Sequence, residues 1–363
     1  MKRYPMPARY AVNTALIAAF LAIGAAVTSS GALNRAQNTV IIQVGIFIIL
    51  AVSLNIATGY LGQLPLGHAG FMAVGAYTGA LFWKSGPLQG YPGVIAGLAL
   101  AGAAAAFFGV IIGIPALRLR GDYLAILTLG FGEIIRVAII NLSSITGGTQ
   151  GLLNIPRHTN FLLVYACVVI TCAVIHMMMK SRHGRAILSL RENEIAAESC
   201  GVNTTYYKVM AFSVSAFFAG VAGALFAGTL GVLTPNPNTF GFMASINILV
   251  MVVLGGMGSM LGSIIAAAAL TSLPLALQSL NEYRLILYAL LLIGVMIFKP
   301  SGLMGTYDFS FSFVAGRLFG RRAGGNQKTA GGPTPDIQAG GPASDIQAGG
   351  PANGERGSPD DDA

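Results

Sequence analysis

Long apolar stretches without charged side chains alternate with short polar segments along most of the chain. A helix crosses the hydrocarbon core of a bilayer with about 20 apolar residues, and the stretches have this length or a multiple of it. Segments rich in Gly and Pro, at 59–67, 234–238 and 255–258, divide the longest of them. The pattern predicts ten membrane-spanning helices, near 11–29, 39–58, 66–83, 92–115, 123–140, 161–179, 209–230, 241–257, 259–280 and 285–298.

The predicted fold class is therefore all-α: a polytopic helical membrane protein with about ten (8–10) transmembrane helices. The apolar stretches are continuous and do not alternate with polar residues, which disfavours a membrane β-barrel. Hydrophobic residues make up 54% of the chain and charged residues 9%, so one ordinary soluble domain is excluded. The first apolar run is long for a secretory signal, and we expect it to be an uncleaved span.

The two ends of the chain differ from this apolar body. Residues 1–10 are predicted to be a cytoplasmic N-terminus, and 11–305 a transmembrane domain with a polar loop at 180–208. The segment 306–363 contains three copies of Ala-Gly-Gly-Pro, at 330, 339 and 348. This composition has little to bury, so we predict a disordered, low-complexity cytoplasmic tail.

The formal net charge is +8, and the positions of the basic residues indicate how the chain is oriented in the membrane. Basic residues collect in cytoplasmic loops and orient a membrane protein. A cytoplasmic N-terminus and ten spans leave only Arg35, Lys84, Arg157 and Arg284 on the outer side. Both termini are then cytoplasmic. The basic surplus is explained by the lipid bilayer, and nucleic acid is not predicted as a partner.

Enzyme chemistry is not indicated. The chain has no Gly-x-x-x-x-Gly-Lys-Ser/Thr phosphate loop, so it cannot hold a nucleotide in that way. Its four histidines lack the spacing of metal ligands, and no pair of residues has the pattern of a nucleophile and its base. We predict no catalytic residue, no metal site and no bound cofactor.

Two groups of residues within the spans are candidates for function. Glu133 and Arg136 are three residues apart and share a helix face, and we predict an intramembrane charge pair that is structural or that contacts another subunit. Gly59, Gly62 and Gly67, with Pro65, interrupt a helix. They predict either a plain loop or a translocation path, in which the neighbouring His68 would bind a carboxylate or, alternatively, a backbone carbonyl.

The loop at 180–208 is the most informative polar segment. Asn193 is placed to cap a short helix that continues through Cys200, with Glu194 near its positive end and Gly201 ending it. A short surface helix of this kind can dock into a cleft of a cytosolic partner, whereas the alternative is an ordinary hairpin between spans.

The spacing Ala196-Ala197-x-x-x-Gly201 resembles the coupling-loop motif of ABC importer permeases, although here Ile195 separates Glu194 from the two alanines. Asn55–Tyr77, with its Gly-Tyr-Leu-Gly-Gln core, resembles the hallmark of branched-chain amino acid importer permeases. Arg118–Arg136, followed by Thr146-Gly-Gly and Gly151, resembles the M subunit of that family. Arg191-Glu-Asn-Glu and the terminal Lys299-Pro-Ser-Gly-Leu are also similar to it. The order and spacing agree over about residues 40–305.

The resemblance implies a transport subunit that is not an enzyme and that forms half of the translocation path for leucine, isoleucine or valine. It implies four kinds of partner: a homologous H-type permease, two ATP-binding subunits that bind the ATP, a periplasmic substrate-binding protein and the lipid bilayer. It also implies that Glu194, Ala196, Ala197 and Gly201 couple the permease to the ATPase. A permease of the same family for urea or short amides, or an ion-coupled secondary transporter, remains an alternative.

Overall fold

A computed structural model describes residues 34–86, 90–116, 119 and 121–276, and single residues at 24, 28, 289, 290, 293, 294 and 297. Apart from those single residues, the predicted spans near 11–29 and 285–298 lie outside the described part. The predicted N-terminal segment 1–10 and the tail 306–363 also lie outside it.

The described part is built from helices, and its strand pairing is limited to one bridge between Leu152 and Leu233. A π-helical turn, Ile56–Tyr60, continues the first helix, and a 3-10 turn covers Gly148–Gln150. The helices are α1 Arg35–Asn55, α2 His68–Ser85, α3 Tyr91–Ala116, α4 Asp122–Asn141, α5 Ser143–Thr146, α6 Phe161–Lys180, α7 Arg182–Glu192, α8 Glu194–Ser199, α9 Thr204–Leu230, α10 Pro237–Phe240, α11 Phe242–Gly255 and α12 Met260–Ala276.

Among the described residues, six helical stretches are long and apolar enough to cross a membrane: Arg35–Tyr60, Tyr91–Ala116, Tyr123–Asn141, Phe161–Lys180, Thr204–Leu230 and Pro237–Gly255. Two more predicted spans are also helical, as α2 and α12. Helix α2 is less apolar because it is enclosed by protein: His68 and Trp83, near its two ends, are both buried. Polar and small residues are tolerated where a helix contacts other helices and not lipid.

Small residues hold the centre of the bundle together. Gly75 and Gly79 of α2 lie directly against Gly220 and Ala224 of α9, so closely that a Cβ atom on Gly75 would collide with the Gly220 backbone. On α3, Gly109 meets Ala216 of α9 in the same way. Small residues spaced four apart, such as Gly75 and Gly79, allow helices to approach each other this closely. Helices α2, α3 and α9 therefore form the centre of the core.

The outer helices present apolar side chains to the surroundings. On α4, Tyr123, Ile126 and Ile134 are each more than half exposed, and Phe107 of α3 is exposed to a similar degree. A contiguous exposed apolar surface is unfavourable in water but is expected where a helix faces lipid or a neighbouring membrane subunit.

Candidate functional site

The predicted break after the first described helix is present; its residues Leu61, Pro65 and Gly67 are buried, whereas Gly62 and Leu64 are exposed. Helix α1 ends at Asn55, the π turn Ile56–Tyr60 follows, and α2 begins at His68. The segment between them is held by the amide of Leu66, which donates to Thr128 Oγ1 at 3.0 Å, and by Gly67, which lies against the Thr128 backbone. A non-helical backbone in a membrane protein is tolerated where it is covered by protein in this way.

His68 is buried in this region. Its exposed fraction is 2%, and its Nε2 atom shares a hydrogen bond of 3.1 Å with Ser53 Oγ. The carbonyl of Ser53 accepts a second hydrogen bond from Ser215 Oγ of α9 at 2.7 Å. In this conformation His68 therefore ties the start of α2 to α1 and does not face an open cavity.

The polar loop at 180–208 contains the predicted short helix. The amide of Ala196 donates to Asn193 Oδ1 at 3.1 Å, so Asn193 is the N-cap of α8. Gly201 has a φ of +82°, and its amide donates to the carbonyl of Glu198 at 2.9 Å. Both ends of α8 are therefore specified by residues within the helix or next to it.

The four residues predicted to couple to an ATPase have different surroundings. Glu194 accepts a hydrogen bond of 2.6 Å from Lys208 of α9, and the Lys208 side chain is only 6% exposed. Ala197 is buried against the protein body, whereas Ala196 and Gly201 are exposed. Thus Glu194 and Ala197 fix α8 to the body, and Ala196 and Gly201 lie on its free surface.

Ile195 was not predicted as a site residue, yet it is the most prominent apolar group of α8. Its side chain is 68% exposed. Single exposed apolar side chains are common on protein surfaces, and this one is available for contact with another protein. The signal in the sequence was the isoleucine itself, because the other residues of this segment are polar or small.

Arg191 was not predicted as a site residue, although it begins a segment that resembles the family, and it joins the two candidate regions. Its Nη1 atom donates to the carbonyl of Gly59 at 2.9 Å. Its Cγ atom lies 2.8 Å from the position that a Cβ on Gly62 would occupy. The predicted coupling loop and the predicted helix break are therefore in direct contact at this arginine.

Glu133 and Arg136 form the predicted ion pair, with 2.7 Å between Arg136 Nε and Glu133 Oε2. The second carboxylate oxygen accepts a hydrogen bond of 2.9 Å from the amide of Phe242, the first residue of α11. Arg136 Nη1 donates to the carbonyl of Pro235 at 3.4 Å. The pair therefore connects α4 to the start of α11, and Glu133 places a negative charge at the positive end of that helix.

Potential metal ligands are not grouped: no cluster of three or more His, Cys, Asp or Glu side chains occurs among the described residues. The three cysteines are free thiols; Cys200 is exposed, and Cys167 and Cys172 are partly buried in α6.

The sequence matches, over residues 38–296, a family model described as branched-chain amino acid transport system / permease component. The chain belongs to this family. The match spans α1 to α12 and includes both the helix break and α8, so the family predicted from the sequence motifs is confirmed.

Two relatives resemble this permease over most of its length. The high-affinity branched-chain amino acid transport system permease protein LivM of Salmonella typhimurium is 38% identical over 320 residues, which cover 77% of this chain and 72% of that protein. LivM of Escherichia coli is 38% identical over 301 residues, which cover 71% of this chain and 68% of that protein.

A third relative, permease protein LivH of Salmonella typhimurium, is 35% identical over 131 residues, which cover 34% of this chain and 40% of that protein. The similarity to LivH is thus confined to about a third of the chain, whereas the similarity to LivM covers most of it. No solved structure matches the chain.

Proposed function

We propose that this chain is the transmembrane permease subunit of an ABC importer and forms half of the translocation path for leucine, isoleucine and valine. Membership of the permease family and 38% identity to LivM over most of the chain support the proposal. The observation that carries its mechanism is α8, a short helix with a free surface that is fixed to the central helix α9.

The free surface of α8 is suited to docking an ATP-binding subunit. Ile195 supplies an exposed apolar group, and Ala196 and Gly201 are small and exposed, so another protein can approach the backbone closely. The ion pair between the partly exposed Glu194 and the buried Lys208 holds α8 to α9. A displacement of α8 by an ATP-binding subunit would therefore be transmitted to α9, which packs at the centre of the bundle.

The need for partners follows from the physics of the cargo. A zwitterionic amino acid loses favourable hydration when it enters hydrocarbon, so it requires a protein-lined path. Uphill transport requires an energy source, and this chain has no phosphate loop. We infer two ATP-binding subunits, a homologous H-type permease to complete the path, and a periplasmic binding protein to deliver the amino acid, all assembled at the bacterial inner membrane with both termini of this chain in the cytoplasm.

We place the translocation path next to the helix break formed by Gly59, Gly62 and Gly67. Gly59 and Gly67 of the break are buried in protein, whereas Gly62 is exposed. His68, at the start of α2, is hydrogen-bonded in this conformation, so an open path would require α2 and α1 to separate locally.

Co-purification is the first test. The chain, carrying an affinity tag, is isolated from membranes that contain the products of all the transport genes, and ATP hydrolysis is measured after reconstitution. We expect two ATP-binding subunits and a second permease in the complex, and hydrolysis that rises when binding protein and leucine are added. A chain that is isolated alone would overturn the proposal and favour a secondary transporter.

The docking surface itself is tested by Gly201→Glu. Gly201 has a positive φ and no neighbouring atoms within 4 Å of an added Cβ, and Gly86 has the same properties at the end of α2. Both substitutions add the same charge and a similar backbone strain. We expect Gly201→Glu to lose the ATP-binding subunits or their response to leucine, and Gly86→Glu to keep both. Equal behaviour of the two variants would rule out this surface as the docking site.

A further inference from the structure

Three backbone breaks meet at one point of the structure. The π turn after α1, the loop between α11 and α12, and the end of α7 are far apart in the sequence, yet they are joined by a chain of contacts through Asn55, Gly59, Gly258 and Arg191. Asn55 Oδ1 accepts a hydrogen bond of 2.9 Å from the amide of Gly258, and Arg191 Nη1 donates to the carbonyl of Gly59 at 2.9 Å. We refer to these four residues as the junction.

The π turn leaves the carbonyl of Gly59 available to Arg191. In a regular α-helix this carbonyl would accept the amide of the residue four positions later, which is Gln63. Here the Gln63 amide donates to the carbonyl of Ala57 instead. The Arg191 guanidinium takes the vacant position and brings a positive charge to the C-terminal end of the helix, where the helix dipole favours it.

The junction has no room for larger residues. A Cβ atom on Gly59 would collide with Asn55 Oδ1 and with the amide of Gly258. A Cβ on Gly258 would lie 3.3 Å from Arg191 Nη1. A displacement of Arg191 would therefore break its hydrogen bond to the Gly59 carbonyl and alter the packing between the π turn and the loop that joins α11 and α12.

The junction is enclosed by protein on one side and faces solvent on the other. Asn55 is only 1% exposed, so its side chain lies on the enclosed side. Arg191 itself is held on its solvent side by Glu192, at 3.0 Å from Nη2 to Oε1.

We propose that Arg191 transmits movement of the coupling segment, 180–208, to the helix break and to the loop between α11 and α12. This inference rests on the proposed function, because it assumes that the segment is moved by an ATP-binding subunit. Arg191 is then a positioning residue: it touches neither the cargo nor ATP, and it acts through the carbonyl of Gly59.

The test uses the whole complex in liposomes, with leucine uptake and ATP hydrolysis measured together. Arg191→Gln removes the cation, and Arg157→Gln is its matched control, because Arg157 Nη2 donates to the carbonyl of Leu230, the last residue of α9, at 3.3 Å. We expect Arg191→Gln to assemble and to hydrolyse ATP, but to use about five to ten times more ATP per leucine transported, within the range of ordinary coupling energies. Arg157→Gln should keep the wild-type ratio, and Arg191→Lys should recover part of it.

A second variant reaches the same contact from the other side. Gly62→Ala places a methyl group 2.8 Å from Arg191 Cγ, whereas Gly86→Ala has a similar positive φ and open space. The backbone strain is therefore matched, and only Gly62→Ala displaces the arginine. We expect Gly62→Ala to raise the ratio of ATP to leucine as Arg191→Gln does, and Gly86→Ala to leave it unchanged.

The outcomes separate this inference from the proposed function. If the wild-type chain is purified without ATP-binding subunits, the proposed function is overturned. A wild-type complex that transports leucine, with an unchanged ATP ratio in Arg191→Gln and Gly62→Ala, overturns only the role of Arg191. If both variants fail to accumulate while Arg157→Gln and Gly86→Ala are normal, the junction is architectural and the inference is wrong.

Discussion

Glu133 provides the sharpest prediction about stability. Helix α4 has few buried residues: only 22% of its most apolar stretch is buried by the rest of the protein. Individual contacts to its neighbours therefore matter for its stability. Glu133 makes two of them: the ion pair of 2.7 Å with Arg136 and the hydrogen bond of 2.9 Å from the Phe242 amide. The substitution Glu133→Ala removes both, whereas Glu133→Gln keeps an oxygen that can accept from Phe242.

The two contacts set the expected magnitude. Loss of an acceptor at a helix N-terminus costs about 1 kcal/mol. The ion pair is partly exposed, with 19% for Arg136 and 30% for Glu133, so its contribution lies between that of a surface pair and a buried one, about 1–2 kcal/mol. We expect Glu133→Ala to lower the free energy of unfolding by about 2–3 kcal/mol and Glu133→Gln by about 1 kcal/mol.

The assay is unfolding of the purified chain in mixed micelles with increasing SDS, together with the yield of assembled complex. Stability should decrease from wild type to Glu133→Gln to Glu133→Ala. The double variant Glu133→Ala/Arg136→Met should lose less stability than the sum of the two single variants, because both remove the same ion pair. A Glu133→Ala chain within about 0.5 kcal/mol of wild type would refute this account. Normal stability and complex yield with abolished transport would make Glu133 a transport residue.

Three further predictions concern packing and exposure. Lys208→Met leaves the Glu194 charge unpaired and should reduce the fraction of ATP-binding subunit that co-purifies, and unchanged recovery would show that the ion pair does not fix α8. Gly75→Leu overfills the contact with α9 and should cost at least about 1–3 kcal/mol, seen as poor membrane accumulation, while Gly130→Leu, with open space around it, should accumulate normally. Cys200 is the exposed thiol of the described part, so a membrane-impermeant maleimide should label it in inverted vesicles and the ATP-binding subunits should protect it; labelling from the outer side would contradict the topology.

The apolar pattern located the helices of the body well. The predicted spans 92–115 and 161–179 correspond to α3, Tyr91–Ala116, and α6, Phe161–Lys180. Each span is a continuous stretch of chain whose hydrophobicity alone makes a helix in a bilayer favourable. The position of α2 at the centre of the core did not follow from the pattern, because burial in protein and burial in lipid both select apolar residues.

The ends of α8 were also predictable, for a different reason. The cap Asn193 and the left-handed Gly201 act on backbone groups a few residues away, so the information is contained in a short segment. The free and fixed surfaces of α8 were not predictable in this way, because they depend on where Lys208 and the body of the protein lie.

What the sequence determined by itself is therefore local: the helices, the polar loop, the glycines that break a helix, and the motifs that identify the family. The tertiary structure decided which of these segments meet. The Arg191 contact with Gly59 spans 132 residues, the Asn55 contact with Gly258 spans 203, and the Glu133 contact with Phe242 spans 109. A hydropathy pattern describes each segment's preference for water or lipid but not its partners. These contacts form only once the packing of α1, α4, α9 and α11 has brought the polar groups within hydrogen-bond distance.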